Sequence, residues 1–254
     1  MTLIKNPVSW DNVFSRITVF PLLKDRNTVS EIANNIWPKT KDAILKNTTV
    51  FSEVGKINLE GELKNKKLSV SISPLKLDLT VTPKEQVDLM SFSLMTMGSY
   101  SESVKDISQL AEIWFSQEKF PQIQRLAFGL DLVSRVKSHD EAYNVISQYL
   151  PFPVDPQTSS DFRYQVNKFT TSEVVKGLNI NRVSVWDALK LDLQLSIGHI
   201  SQLPSKYEEL YYCHLTLDIN TGLEHQGELE KGKIFSLYEE LESYACKISK
   251  EGII

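Results

Sequence analysis

The chain has 254 residues, 41% of them apolar and 24% charged, and carries a formal net charge of −4. These values describe a folded globular chain with enough length to bury a core without disulfide or metal staples. They exclude a broadly basic nucleic-acid binder, because no Lys/Arg run stands out beyond Lys64-Asn65-Lys66-Lys67.

In chain order, Phe14–Phe20 reads as a first strand. Thr28-Val29-Ser30-Glu31 is a capping box, and Val29, Ile32, Ala33 and Ile36 follow at helical spacing until Pro38. Ile57, Leu59 and Leu63 alternate with polar residues. So do Leu68, Val70 and Ile72, and then Leu75, Leu77, Leu79 and Val81. Strict alternation predicts an antiparallel meander with one buried and one solvated face. After the Met90–Met97 stretch, a helix opening at Ser103 carries the stripe Ile107, Leu110, Ala111, Trp114 and Phe115.

Gln122–Val136 reads as a long strand, and Ser138-His139-Asp140-Glu141 as a second capping box. Its helix carries Ala142, Val145, Ile146, Tyr149 and Leu150, and Pro151, Pro153 and Pro156 stiffen the next connection. Strands are expected near 162–169, 183–197 and 208–219. A last helix from about Gly232 turns Ile234, Leu237, Tyr238, Leu241, Ala245 and Ile248 inward, with Glu239, Glu240 and Glu242 in water. The expected fold class is α+β. Two similar β-α-β-β-β-α halves, 1–120 and 121–254, would each place helices over a mostly antiparallel sheet. Aligned as repeats, the halves match Arg16 to Arg125, Glu31 to Glu141 and Ile36 to Ile146.

Three segments resemble a sporadically distributed family of uncharacterised bacterial proteins of similar length. They are the strand Gln124-Arg125-Leu126-Ala127-Phe128-Gly129-Leu130-Asp131 after the Trp114 helix, the strand Cys213-His214-Leu215-Thr216-Leu217-Asp218-Ile219, and the closing helix with Leu237-Tyr238-Glu239-Glu240-Leu241 and Lys247-Ile248-Ser249. Where that family carries an Asn-bearing signature, this chain has Asp131-Leu132-Val133. The resemblance implies an α+β fold and a role in mobile or defence gene sets, and it implies no particular chemistry.

No GxGxxG, GxxxxGK[ST], HExxH or GxSxG pattern occurs, and the ten glycines are scattered, so no cofactor is expected. Cys213 and Cys246 form no metal-binding spacing and read as buried thiols. The start of the chain has no apolar signal region, and no stretch of about 20 apolar residues occurs. The expected setting is cytoplasmic, with no membrane contact. Among the histidines, His139 falls in a capping box, His199 at a turn and His225 in a polar loop.

His214, Thr216 and Asp218 should share one strand face, with His214 and Asp218 about 13 Å apart and so unable to pair directly. Asp131, Asp192 and Asp218, with His214, are the candidate catalytic groups if neighbouring strands bring them together. The reaction class would then be carboxylate-dependent hydrolysis or nuclease action. The main expectation is a non-catalytic subunit that binds a protein partner or a second copy of itself. Trp10 is its candidate exposed anchor, and Met95 and the acidic face of the last helix are further contacts. A nucleic-acid-binding role would instead need Arg16, Lys64, Lys66, Lys67 and Arg125 to gather in a local basic patch.

Overall fold

The computed structural model describes residues 8–22, 27–84, 93–194 and 207–253. The strands are β1 (Asp11–Pro21), β2 (Ala43–Phe51), β3 (Lys56–Leu63), β4 (Lys66–Ile72), β5 (Leu77–Pro83), β6 (Ile123–Val136), β7 (Arg163–Thr171), β8 (Asn179–Gln194) and β9 (Tyr207–Thr221). The helices are α1 (Asn27–Ala33) before β2, α2 (Tyr100–Phe115) after β5, α3 (His139–Ser147) after β6 and α4 (Ile234–Glu251) after β9. All nine strands form one antiparallel sheet in the order β2-β3-β4-β5-β1-β6-β9-β8-β7. The fold is thus α+β on one continuous sheet, where the sequence pattern pointed to a sheet in each half.

Alternation sets which face is buried. Ile17 and Val19 of β1 point to the same side as Leu77, Leu79 and Val81 of β5 and Leu126, Phe128 and Leu130 of β6, and all are buried. The apolar stripes of all four helices join them in a single core. On the other side of the same strands stand Arg16, Thr18, Asp78, Thr80 and Asp131, with Thr216 of β9 beside Asp131. Among the described residues no helix covers that second face, called here the open face.

The core crosses the middle of the chain. Trp114 of α2 is fully buried, and its indole N–H donates to Ile36 O at 2.9 Å. Trp10 is only 6% exposed and donates to Ser249 O of α4 at 2.8 Å. Its ring meets Tyr149 and Trp186 edge-on. Trp10 is therefore a core residue and not the exposed anchor expected from its polar neighbours. Its sequence context is polar, but the β1 entry carries it against α4, Trp186 of β8 and Tyr149 just after α3. Asn12 is completely buried where β1 bulges. Its side chain answers the irregularity by donating to Ser15 and Ser103 and accepting from the Phe14 N–H.

Half of the second capping box forms: Ser138 Oγ accepts from Glu141 N at 3.2 Å. Glu141 accepts instead from the Lys137 N–H, one residue before the cap. The side chain of Thr28, the first expected cap, lies outside the described residues. Helix α2 begins at Tyr100, earlier than Ser103, because Ser99 precedes a first turn closed by Ser103 N to Ser99 O. The acidic face of α4 is partly consumed internally. Glu242 accepts from Ser108 of α2, and Glu240 accepts from Ser172 Oγ and the Glu173 N–H.

β2 was not visible in the sequence because its side chains do not alternate: only Ala43 is buried. It is held to β3 by backbone pairing, with Lys46 left over in a bulge between Leu45 and Asn47. Gly61 sits opposite that bulge, and a Cβ there would lie 2.0 Å from Ile44 O and 2.9 Å from the Trp37 ring. Gly61→Ala must push β2 off β3. It is expected to lower unfolding free energy by about 1–3 kcal/mol, measured by denaturant titration. Wild-type stability for this variant would contradict the close approach.

Candidate functional site on the open face

The centre of the open face is built by β1, β6, β9 and β8. His214 of β9 stands directly across from Asp187 of β8, and Asp131 of β6 across from Thr216 of β9. This register brings two carboxylates to one imidazole. His214 Nδ1 lies 2.7 Å from Asp187 Oδ1, and His214 Nε2 lies 3.8 Å from Asp131 Oδ1. Thr216 donates its hydroxyl to Asp131 at 2.6 Å. His214 and Asp187 are well shielded, with side chains 18% and 15% exposed.

Burial by itself disfavours the imidazolium, but the carboxylates of Asp131 and Asp187 outweigh it and raise His214 to about 9. Burial likewise pushes Asp131 up, yet its bonds from His214 and Thr216, with the charge of Arg16, hold its carboxyl below the ordinary range. His214 is thus a cation at neutral pH, donating from Nδ1 to Asp187 and turning its Nε2 proton towards Asp131 at ion-pair distance.

The linear order Thr216–His214–Asp187 matches a hydroxyl, a base and an orienting carboxylate. Thr216 Oγ1 is 3.4 Å from His214 Nε2. The protonation state works against that use. A base needs a free lone pair on Nε2, and here that nitrogen carries a proton facing Asp131, while the Thr216 proton is committed to Asp131. As arranged, the group is a charge-paired strut across three strands.

Arginines flank the strut. Arg16 lies over the backbone of Gly129, where a Cβ would fall 3.6 Å from the guanidinium, and its Cζ is 5.9 Å from the Phe14 ring centroid. Arg125 Cζ is 4.4 Å from the Phe20 centroid, and Nε donates to Thr221 O at 3.3 Å. Without a side chain at Gly129, the guanidinium of Arg16 rests directly on the strand backbone. At one end of the same face Val133, Leu210 and Tyr212 form a small separate core with Val13, Leu94, Leu189 and Leu191. Near β2 the face holds an open cleft of about 230 Å³, where Glu62 is gripped by Lys46 at 2.6 Å and Lys84 at 2.7 Å.

Of the four candidate catalytic residues, His214 and Asp131 come together. Asp218 shares their face but accepts from Asn220 at 3.0 Å, and Asn220 accepts from Asn181. Asp192 is on the opposite face of β8, 3.4 Å from Lys190. Asp187 was missed. It lies in phase with Val183, Val185 and Leu189, a period that marks its face but not its cross-strand partner.

The basic residues do not gather. Lys64 and Lys66 bind Asp106 of α2 at 2.7 and 2.5 Å on the helix side, while Lys67, Arg16 and Arg125 are on the open face. Met95 is 47% exposed, Met97 is buried and Met90 lies outside the described residues. His139 packs on Tyr143, and His199 lies outside the described residues. Cys213 is fully buried, and burial pushes its thiol up to about 12. Among the described residues, no group of three or more His, Cys, Asp or Glu side chains is disposed to hold a metal ion, and no helix is long and apolar enough to cross a membrane. The chain matches no protein-family model and no curated protein sequence.

The folded-state pKa of His214 is raised above its ordinary 6.5. The strut's contribution to stability is therefore full below pH 6.5 and is lost as pH rises through about 9. The imidazole resonances of His214 should titrate near that upper value. In Asp187→Asn the midpoint should fall by about 1–3 pH units. A midpoint near 6.5 in the unmodified protein would refute the strut.

Proposed function

We propose that this chain is a non-catalytic binding subunit that takes a protein partner on the open face of its sheet. The observation that carries this reading is the asymmetry of the sheet. All four helices pack on one side, and the other side presents ordered, charge-paired side chains. Arg16 and Arg125 rest on Phe14 and Phe20, and arginine and aromatic side chains fixed in place lose little entropy on association. Both signs of charge occur on the face, which suits a protein surface better than a polyanion. The resemblance to sporadically distributed bacterial proteins supports a place in an intracellular bacterial assembly of the mobile or defence kind.

The proposal includes descent from two similar halves. Aligning Arg16 with Arg125 also aligns Thr18 with Ala127, and those two residues are cross-strand partners in the β1–β6 register. The two arginines stand two residues either side of that pair, as a local twofold axis requires. The axis would put the binding face astride the junction of the halves.

The test is capture from the native host by immobilised protein, with Arg16→Glu and Arg125→Glu on the open face and Lys119→Glu on the helix side. A protein retained by the unmodified chain and by Lys119→Glu, but lost from both open-face variants, supports the reading. The same protein retained equally by all four would place its binding elsewhere. Turnover of any substrate by the purified chain, abolished in Asp187→Asn, would favour the hydrolase reading instead.

A further inference from the structure

β2 adds only Ala43 to the core of the monomer, and the other eight of its nine residues are exposed. Its exposed residues include Ile44, Leu45, Val50 and Phe51, with Val54 just beyond the strand and Leu75 in the β4–β5 turn. Gly55, next to Val54, is close to Pro74 of that turn, a Cβ on it meeting Pro74 Cγ at 3.8 Å, so Val54 and Leu75 extend the apolar rim of the strand. Among the described residues β2 pairs with β3 on one side only, and it ends the sheet. A strand that buries almost none of its own side chains and leaves one backbone edge unpaired is a template for another strand.

We infer that β2 pairs antiparallel with β2 of a second copy of this chain, centred on Thr49, to form a twofold dimer with one continuous sheet. The occupant is argued from the strand's own facing pattern and charge. Asn47, Thr49 and Phe51 lie opposite Glu60, Asn58 and Lys56 and so face the open side. Thr48 and Val50 lie opposite Leu59 and Ile57 and face the helix side. With Thr49 on the axis, Asn47 meets the partner's Phe51, Thr48 meets the partner's Val50, and Thr49 meets its own copy. Every pair then joins residues of the same face, which antiparallel pairing demands.

Charge agrees with this register. Lys46 is the only charged residue of β2, and it falls opposite the partner's Ser52, so no like charges oppose. The bulge at Lys46 ends the regular pairing there and confines it to 47–51. The other sheet edge, β7, carries Arg163 and Lys168. A β2-to-β7 contact would be head-to-tail, giving a ring or an open filament instead of a twofold dimer. An axis perpendicular to the sheet leaves both open faces on the same side of the dimer. The inference is independent of what binds there.

Sedimentation velocity of the full chain across micromolar concentrations tests this. The unmodified protein should show a reversible monomer–dimer equilibrium. Thr49→Lys and Thr49→Glu each place like charges in direct opposition on the axis, and each should weaken the dimer by roughly fivefold or more. Thr49 is exposed, so both variants should keep the far-ultraviolet circular dichroism of the parent. Mixed in equal amounts, they should restore the dimer, which only self-pairing at Thr49 explains. A monomer at every concentration, open-ended filaments, or a dimer indifferent to both substitutions would overturn the inference.

Discussion

The pairing of β1 with β6 is the constraint on which the rest of the molecule depends. It runs from Asp11–Val133 to Pro21–Ile123 and joins the earlier and later strands into one sheet. Once joined, the alternation of every strand has to agree on which side is apolar, because side chains two apart share a face. The four helices of the described residues pack on that side, and the opposite side is left to polar groups apart from the small apolar cluster around Val133, Leu210 and Tyr212. The main core and the open face are two consequences of one backbone ladder.

That division also explains the electrostatics. Charged residues that alternate with core residues cannot turn away from one another across adjacent strands. They meet at the cross-strand spacing, and the register decides which ones meet. At the centre the meeting is Asp131, His214 and Asp187, opposite charges that satisfy each other and raise the histidine's proton affinity. On the helix side the same logic gives Lys66, a buried lysine whose ammonium is held by Asp106. Removing one partner of such a group costs more than the pair contributes, because the charge left behind stays shielded from water.

Period and chemistry made much of this legible beforehand. The meander β3–β5, the long β6, the stripes of α2 and α4, and the shared face of His214, Thr216 and Asp218 follow from spacing alone. What spacing cannot carry is register between distant strands. Asp187 pairs with a residue 27 positions away, and no periodicity announces which cross-strand neighbour it will meet. β2 escaped for a different reason: with only Ala43 buried, it has no alternation to read. Trp10 is unlike its context because local polarity describes the neighbouring residues, while burial is decided by Tyr149, Trp186 of β8 and α4 from far along the chain.

Thiol reactivity tests the one-sided sheet most directly. Single cysteines at Ser69, Ser71 and Thr80, which face the open side, should be labelled rapidly in the native protein. Cysteines at Leu68, Val70 and Leu79, one position away on the same strands, should be labelled only on unfolding, because those sites are at most 1% exposed. Labelling that alternates with each residue along β4 and β5 is the predicted result. Protection at all six sites would mean that both faces are covered, and it would contradict the account of an open binding face.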